Sequence, residues 1–163
     1  MAPMARLRDL PLRHRAFLKA YRWRRIDPTP WTPLGRPLSR TRLALVSSAG
    51  LTLTGQERFD HAFKGGDPSF REIPGDVDPA ALEDHHRSRS FDHEGMRRDP
   101  NVAFPVERVR ELARDGVIGS VAPRHLSFMG SVTAPGRLIR DAAPRAAELL
   151  VSDRVDAALL VPV

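Results

Sequence analysis

RLALVSS, residues 42–48, decides how the rest of the chain is read. Leu43 to Val46 form a short unbroken apolar run. A strand with one wet face would alternate, so an unbroken run marks a strand buried on both faces, as in a parallel sheet. VDAALLVPV, residues 155–163, has the same character. Between these two runs, helical and strand signals alternate, which is the signature of βαβ units.

The intervening segments are read in order. SFREI (69–73) alternates as a strand does, and DVDPAALED (76–84) opens a short helix with Asp78 as N-cap and Pro79 in the first turn. HHRSRSFDHEGMRRDPNVAF (85–104) has no periodicity. In PVERVRELARDG (105–116), Val106, Val109, Leu112 and Ala113 share one helical face and Gly116 ends the helix. VIGSVAP (117–123) is the next strand, and APGRLIRDAAPRAAELLVSD (134–153) is a helix weakened in its middle by Pro144. The expected fold is an α/β, three-layer domain with a mainly parallel sheet, Rossmann- or flavodoxin-like, and incomplete at its C-terminal end.

Working outward, the chain before Leu43 is different. Residues 1–42 carry 11 Lys and Arg against Asp9 and Asp27, a net of +9, whereas residues 43–163 carry 15 against 18, a net of −3. The basic character belongs to this arm. Residues 5–25 read as a helix interrupted at Pro11, and Pro28, Pro30, Pro33 and Pro37 make an extended connector with Trp31 packed on the core. Zinc-finger spacing, Gly-rich basic loops and an interleaved aromatic platform are all missing, which argues against nucleic-acid binding. Arginines interrupt any signal-peptide core, no apolar run approaches a membrane span, and the expected location is the cytoplasm. The chain has no cysteine, which removes disulfides, thiolate ligands and thiol nucleophiles.

In parallel sheets, functional groups gather beyond the carboxyl ends of the strands. That rule selects SSAGLTLTGQ (47–56), where Ser48 and Gly50 could present backbone N–H groups to an anion. It also selects PRHLSFMGS (123–131), where Arg124 could clamp a carboxylate and His125 could move a proton. A third concentration, DHHRSRSFDH (84–93), holds His85, His86, Asp92 and His93. These are substrate- or proton-handling candidates and, alternatively, ligands of a zinc or iron ion in a metal-dependent enzyme. A further alternative is a non-catalytic assembly subunit whose basic arm docks a partner.

ALVSSAGL, GDPSFREIP, the block from His85 to Ser120, and APRHLSFMGS together resemble the selenoprotein B family of glycine/sarcosine/betaine and D-proline reductases. The resemblance runs from about Leu43 to Val163, making this stretch the N-terminal part of a reductase-like domain. It implies an oxidoreductase that cleaves a carbon–nitrogen bond at the expense of a dithiol or selenol. It implies no cofactor within these residues, a selenocysteine or cysteine in a full-length form, and a pyruvoyl group on a partner subunit. A thiol or selenol electron donor is the other expected partner, and homo-oligomerisation stays open. In the family the redox motif follows a strand like ALLVPV. The redox residue is missing from this sequence, so the expectation is a chain cut short of that motif, for instance by a UGA codon read as stop, and inactive by itself.

Overall fold

The computed structural model describes residues 7–21 and 25–163, in two compact units, residues 1–33 and 34–163. In the first unit, a 3₁₀ turn at Leu7–Asp9 precedes α1 (Leu12–Ala20). Pro11 separates them in an extended conformation, as its missing N–H and fixed φ require. Residues 5, 6 and 22–24 of the expected helix lie outside the described residues. The helix α1 buries no residue, and Trp31 is 84% exposed.

The second unit is a mixed α/β structure around a mainly parallel sheet. Its centre is β1 (Arg42–Ser47), where Ala44 and Leu45 are fully buried. Along one edge, β7 (Ala157–Val161) pairs with it in parallel from Leu43–Ala157 to Ser47–Val161. The other edge meets two short parallel strands in succession. First comes β5 (Ser120–Val121), opposite Arg42 and Leu43, and then β6 (Arg124–Phe128), opposite Val46 and Ser47. Arg42 faces Ser120 but Val46 faces Leu126, so the β5–β6 side carries two extra residues and must bulge.

A side chain repairs the interrupted ladder. Ala122 N–H still donates to Leu43 O at 2.9 Å, but Leu45 N–H donates to Nδ1 of the fully buried His125 at 3.1 Å. An imidazole nitrogen thus stands in for the carbonyl that the bulge displaces and pairs the Leu45 N–H, while the ring's own Nε2–H stays buried without a partner. This corrects the expectation that 123–131 is a strand-end loop. RHLSF is itself a strand, and its buried polar residues hid that fact. Ser127, also fully buried, accepts Leu51 N–H on its Oγ at 2.7 Å.

Antiparallel β3 (Phe70–Pro74) closes the sheet on the far side of β6, with Phe70 opposite Phe128 and their rings 5.4 Å apart. Directly after β1, Gly50 turns the chain at φ +65° into β2 (Leu51–Leu53), within the segment expected to be a loop. Antiparallel to it lies β4 (Leu82–Asp84), which replaces the second half of the helix expected at 76–84. Only a 3₁₀ turn, Pro79–Ala81, forms there, capped by Asp78 as expected.

Helices supply the remaining cover. α2 (His93–Arg98) lies within the stretch without periodicity; it is short, and its signal is the N-cap Asp92, whose Oδ1 accepts Gly95 N–H at 2.8 Å. α3 (Val106–Arg114) buries Val106 and Val109 with Leu45, Ile73, Met96 and Phe104 and packs Ala113 beside them, but Leu112, expected on the same face, is 39% exposed. Asn101 Oδ1 accepts Glu107 N–H at 3.2 Å while its Nδ2 donates to the Glu107 carboxylate, a reciprocal cap. α4 (Ala143–Ser152) follows a π-helical turn at Leu138–Ala142, in which Ala143 N–H reaches back to Leu138 O. Pro144 has no N–H to offer the preceding turn and its ring crowds that turn's carbonyl, so the helix widens just before it. Among the described residues no helix is long and apolar enough to cross a membrane.

Candidate functional site

The turn leaving β1 lies beside the carboxyl end of β7. Ser48 N–H donates to Val161 O at 3.1 Å, Ala49 N–H to Ser47 Oγ at 3.1 Å, and Gly50 N–H to Phe128 O at 2.8 Å. All three donors serve the fold, so the turn does not offer Ser48 and Gly50 backbone N–H groups to an anion, contrary to the sequence expectation. Gly50 is a structural joint: a Cβ there would lie 2.9 Å from Met129 Cε and 3.3 Å from the His86 backbone. The hydroxyl of Ser48 is different. It reaches the strand end and accepts Val163 N–H at 3.0 Å.

The histidine-rich segment folds back over this corner. His93 places Nδ1 2.5 Å from Asp84 Oδ2 and Nε2 3.0 Å from Ser88 O. Both partners accept, so the ring satisfies both only as an imidazolium, and the Asp84 contact raises its pKa above the ordinary histidine value. His86 is its opposite. Its Nδ1 accepts Ser88 N–H at 3.3 Å, which puts the ring proton on Nε2. That nitrogen is buried without a hydrogen-bond partner, and burial lowers the pKa. A Cβ on Gly130 would sit 2.5 Å from His86 Nε2, so glycine is what lets the ring approach. Phe91 joins the two histidines, tilted against His86 at 4.5 Å and edge-on to His93 at 5.0 Å.

In this geometry the side chains of the metal reading point to separate partners. His85 Nε2 turns to Glu83 Oε2 at 3.3 Å, Asp92 caps α2, His93 binds Asp84 and Ser88, and His86 Nδ1 is occupied. The ligand atoms diverge, and among the described residues no three His, Asp or Glu side chains are grouped to hold one ion.

Arg124 and His125 are placed elsewhere than expected. Arg124 lies at the amino end of β6, where it grips Asp153 with Nε at 2.5 Å and Nη2 at 2.9 Å and reaches Glu72 at 2.5 Å. The pairing holds the Asp153 carboxyl below its usual range, and the guanidinium is spent on a structural bridge. His125 is inside the sheet, its pKa pushed down to about 4 by burial and by the charge of Arg110.

What the fold does assemble is a corner at the carboxyl ends of β1 and β7. A cleft of 280 Å³ is lined by Ser90, Phe91, Asp92, Val102, Ala103 and Val163. On the other side of Ser48 runs an apolar groove of 400 Å³, between Val46, Phe128, Leu160 and Pro162 of the sheet and Leu138 and Ala143 of the helix. The corner has a hydroxyl, a carboxylate and, behind Phe91, one neutral and one charged histidine. Phe91 was not among the expected site residues. The signal for Phe91 was its being the one aromatic side chain within DHHRSRSFDH.

Comparison with known proteins identifies the family of this chain. The family model for glycine/sarcosine/betaine reductase selenoprotein B matches residues 11–163. D-proline reductase subunit gamma of Acetoanaerobium sticklandii is 35% identical over 83% of this chain and 54% of its own length. Glycine reductase complex component B subunit gamma of Symbiobacterium thermophilum is 30% identical over 82% of this chain and 31% of its own. Sarcosine reductase complex component B subunit beta of Peptoclostridium acidaminophilum is 25% identical, covering 82% and 30%. This chain therefore spans about half, or less, of the length of these relatives, and no solved structure matches it. With a match over nearly its whole length, the chain belongs to the glycine/sarcosine/betaine reductase selenoprotein B family.

Proposed function

We propose that this chain forms the amino-terminal part of a reductase subunit that cleaves a C–N bond of an amino acid or betaine at the expense of a dithiol. The observation that carries this reading is the family match to residues 11–163, joined to a corner at the ends of β1 and β7 where Ser48 and Asp92 meet Val163. In the net reaction the C–N bond breaks, the carbon gains a hydrogen, the amine leaves, and the dithiol becomes a disulfide. A selenol or thiol following position 163 in a longer form, together with a pyruvoyl group on a partner subunit, would supply the nucleophile and the activation of the substrate amine.

The residues present suit such a neighbour. Ser48 tethers the end of β7 through Val163 N–H, which fixes where the backbone leaves the sheet. Phe91, Val102 and Ala103 give one wall of the cleft an apolar lining, and Asp92 offers a carboxylate to a cationic amine. His93 and Asp84 hold the segment carrying Phe91 in place. The longer protein would complete the sheet as a three-layer, Rossmann- or flavodoxin-like domain in the cytoplasm, drawing electrons from a thiol or selenol donor.

Two measurements test this. Reading the DNA past codon 163 should show an in-frame UGA or cysteine codon and a continuing frame; a different stop with no frame beyond it would sink the proposed continuation. The longer protein, combined with its pyruvoyl partner, should release amine from glycine, sarcosine or betaine, or open D-proline, when given dithiol, while this chain alone should not. Failure of the longer protein on all four substrates would refute the reductase reading.

A further inference from the structure

We propose that the opposite end of the sheet carries a binding site for a small phosphate-class polyanion. At the amino ends of β1, β5 and β7, a cleft of 290 Å³ is lined by Arg36, Arg40, Arg42, Arg154, Ser120 and Asp156. Four guanidinium groups face it against one carboxylate.

The internal pairing leaves charge to spare. Asp156 accepts Arg42 N–H on Oδ2 at 2.8 Å and lies 3.3 Å from Arg36 through Oδ1, so both of its oxygens are occupied. Arg42 commits one Nη1 donor to Asp153 O at 2.6 Å. Arg40 and Arg154 have no ion pair among the described residues. Planar forks that line one cleft, two of them without counter-charges, match the oxygens of a phosphate or pyrophosphate, which a fork can hold in bidentate fashion.

The backbone supplies an independent observation. Arg154 has φ +55°, in the left-handed region. It ends α4 in a paired arrangement, with Val155 N–H donating to Leu150 O and Arg154 N–H to Val151 O, both at 2.9 Å. That helix ending ordinarily takes glycine, because a Cβ is strained there. Here the strained position carries a long cation aimed into the cleft. A backbone outlier maintained at a site of this chemistry is the pattern expected where stability has been surrendered to function. The site is separate from the corner at Ser48, which lies at the other end of the same strands.

Arg154→Gly distinguishes the alternatives, because it removes the cation and relieves the strain together. Thermal unfolding and titration calorimetry with inorganic pyrophosphate, and with inorganic phosphate in parallel, should show saturable binding to the chain. Sodium chloride at matched ionic strength should give no comparable shift. Arg154→Gly should raise the melting temperature without ligand by about 2–4 °C. The same variant should bind pyrophosphate at least tenfold more weakly, as should Arg40→Ala. Preference for pyrophosphate over phosphate would identify a phosphate-ester ligand, and equal affinity would identify free phosphate. The proposal is overturned by an absence of saturable binding, by unchanged affinity in Arg154→Gly, or by a lower melting temperature for that variant. Binding to a single-stranded oligonucleotide that pyrophosphate cannot displace would also overturn it.

Discussion

His125 should make the stability of this fold depend on pH in a way a single substitution can remove. The ring is fully buried and its Nδ1 accepts Leu45 N–H, so it is neutral in the folded chain. Its pKa lies at about 4, against 6.5 for an ordinary histidine. Above pH 6.5 neither the folded nor the unfolded chain protonates it, and its stabilising contribution is complete. As pH falls below 6.5 the unfolded chain gains a proton that the folded chain refuses, and stability is lost until about pH 4. The displacement corresponds to roughly 3 kcal/mol over that window. Urea unfolding at intervals from pH 7 to pH 4.5 measures it. Wild-type protein also loses stability there through His86, whose pKa is likewise lowered by burial. The difference from His125→Asn isolates the one ring, since asparagine can still accept Leu45 N–H but cannot be protonated. That variant should lose less stability on acidification than wild type, by about 2 kcal/mol at pH 5. At pH 7, His125→Ala, which orphans Leu45 N–H and leaves a cavity, should cost about 2–4 kcal/mol. Parallel pH profiles for wild type and His125→Asn would refute the assignment of a neutral, ladder-completing ring.

Asp84→Asn should lower the pKa of His93 towards the ordinary value, read by NMR titration of its ring protons, because the Asp84 contact is the largest cause of the raised value. The His93 contribution to stability, present below pH 6.5 and lost as pH rises through its raised pKa, should shrink in the same variant. Gly50→Ala should destabilise by about 1–3 kcal/mol in denaturant unfolding, since a Cβ at positive φ would press on Met129 and the His86 backbone. Arg71→Ala should cost about 2–3 kcal/mol and expose residues 54–69 to limited proteolysis. The Arg71 guanidinium holds Glu57 O, Arg58 O and Ser69 Oγ and lies 4.4 Å over the Phe59 ring.

Sequence alone carried the α/β class, the two apolar parallel strands, the face of α3 and the family resemblance. Each of these rests on local pattern. Leu43–Val46 and Ala157–Val161 are apolar because both lie in a parallel sheet, and Val106 and Val109 recur with the helical period because one face of α3 is buried. The segment RHLSF escaped for the converse reason. Its buried positions include His125 and Ser127, whose polarity is satisfied by Leu45 N–H and Leu51 N–H, partners about eighty residues away in the chain. No local rule can anticipate a polar residue made acceptable by a distant donor. The candidate site divides the same way. Its polar residue types were visible in DHHRSRSFDH, but hydrogen-bond direction decided that His93 is charged, that His86 is neutral and that the group does not converge on a metal. Only the tertiary structure brought Ser48 to the end of β7 and set Arg154, at the end of α4, beside Arg36, Arg40 and Arg42 around one cleft, because those contacts depend on strand register and helix ends rather than on spacing in the sequence.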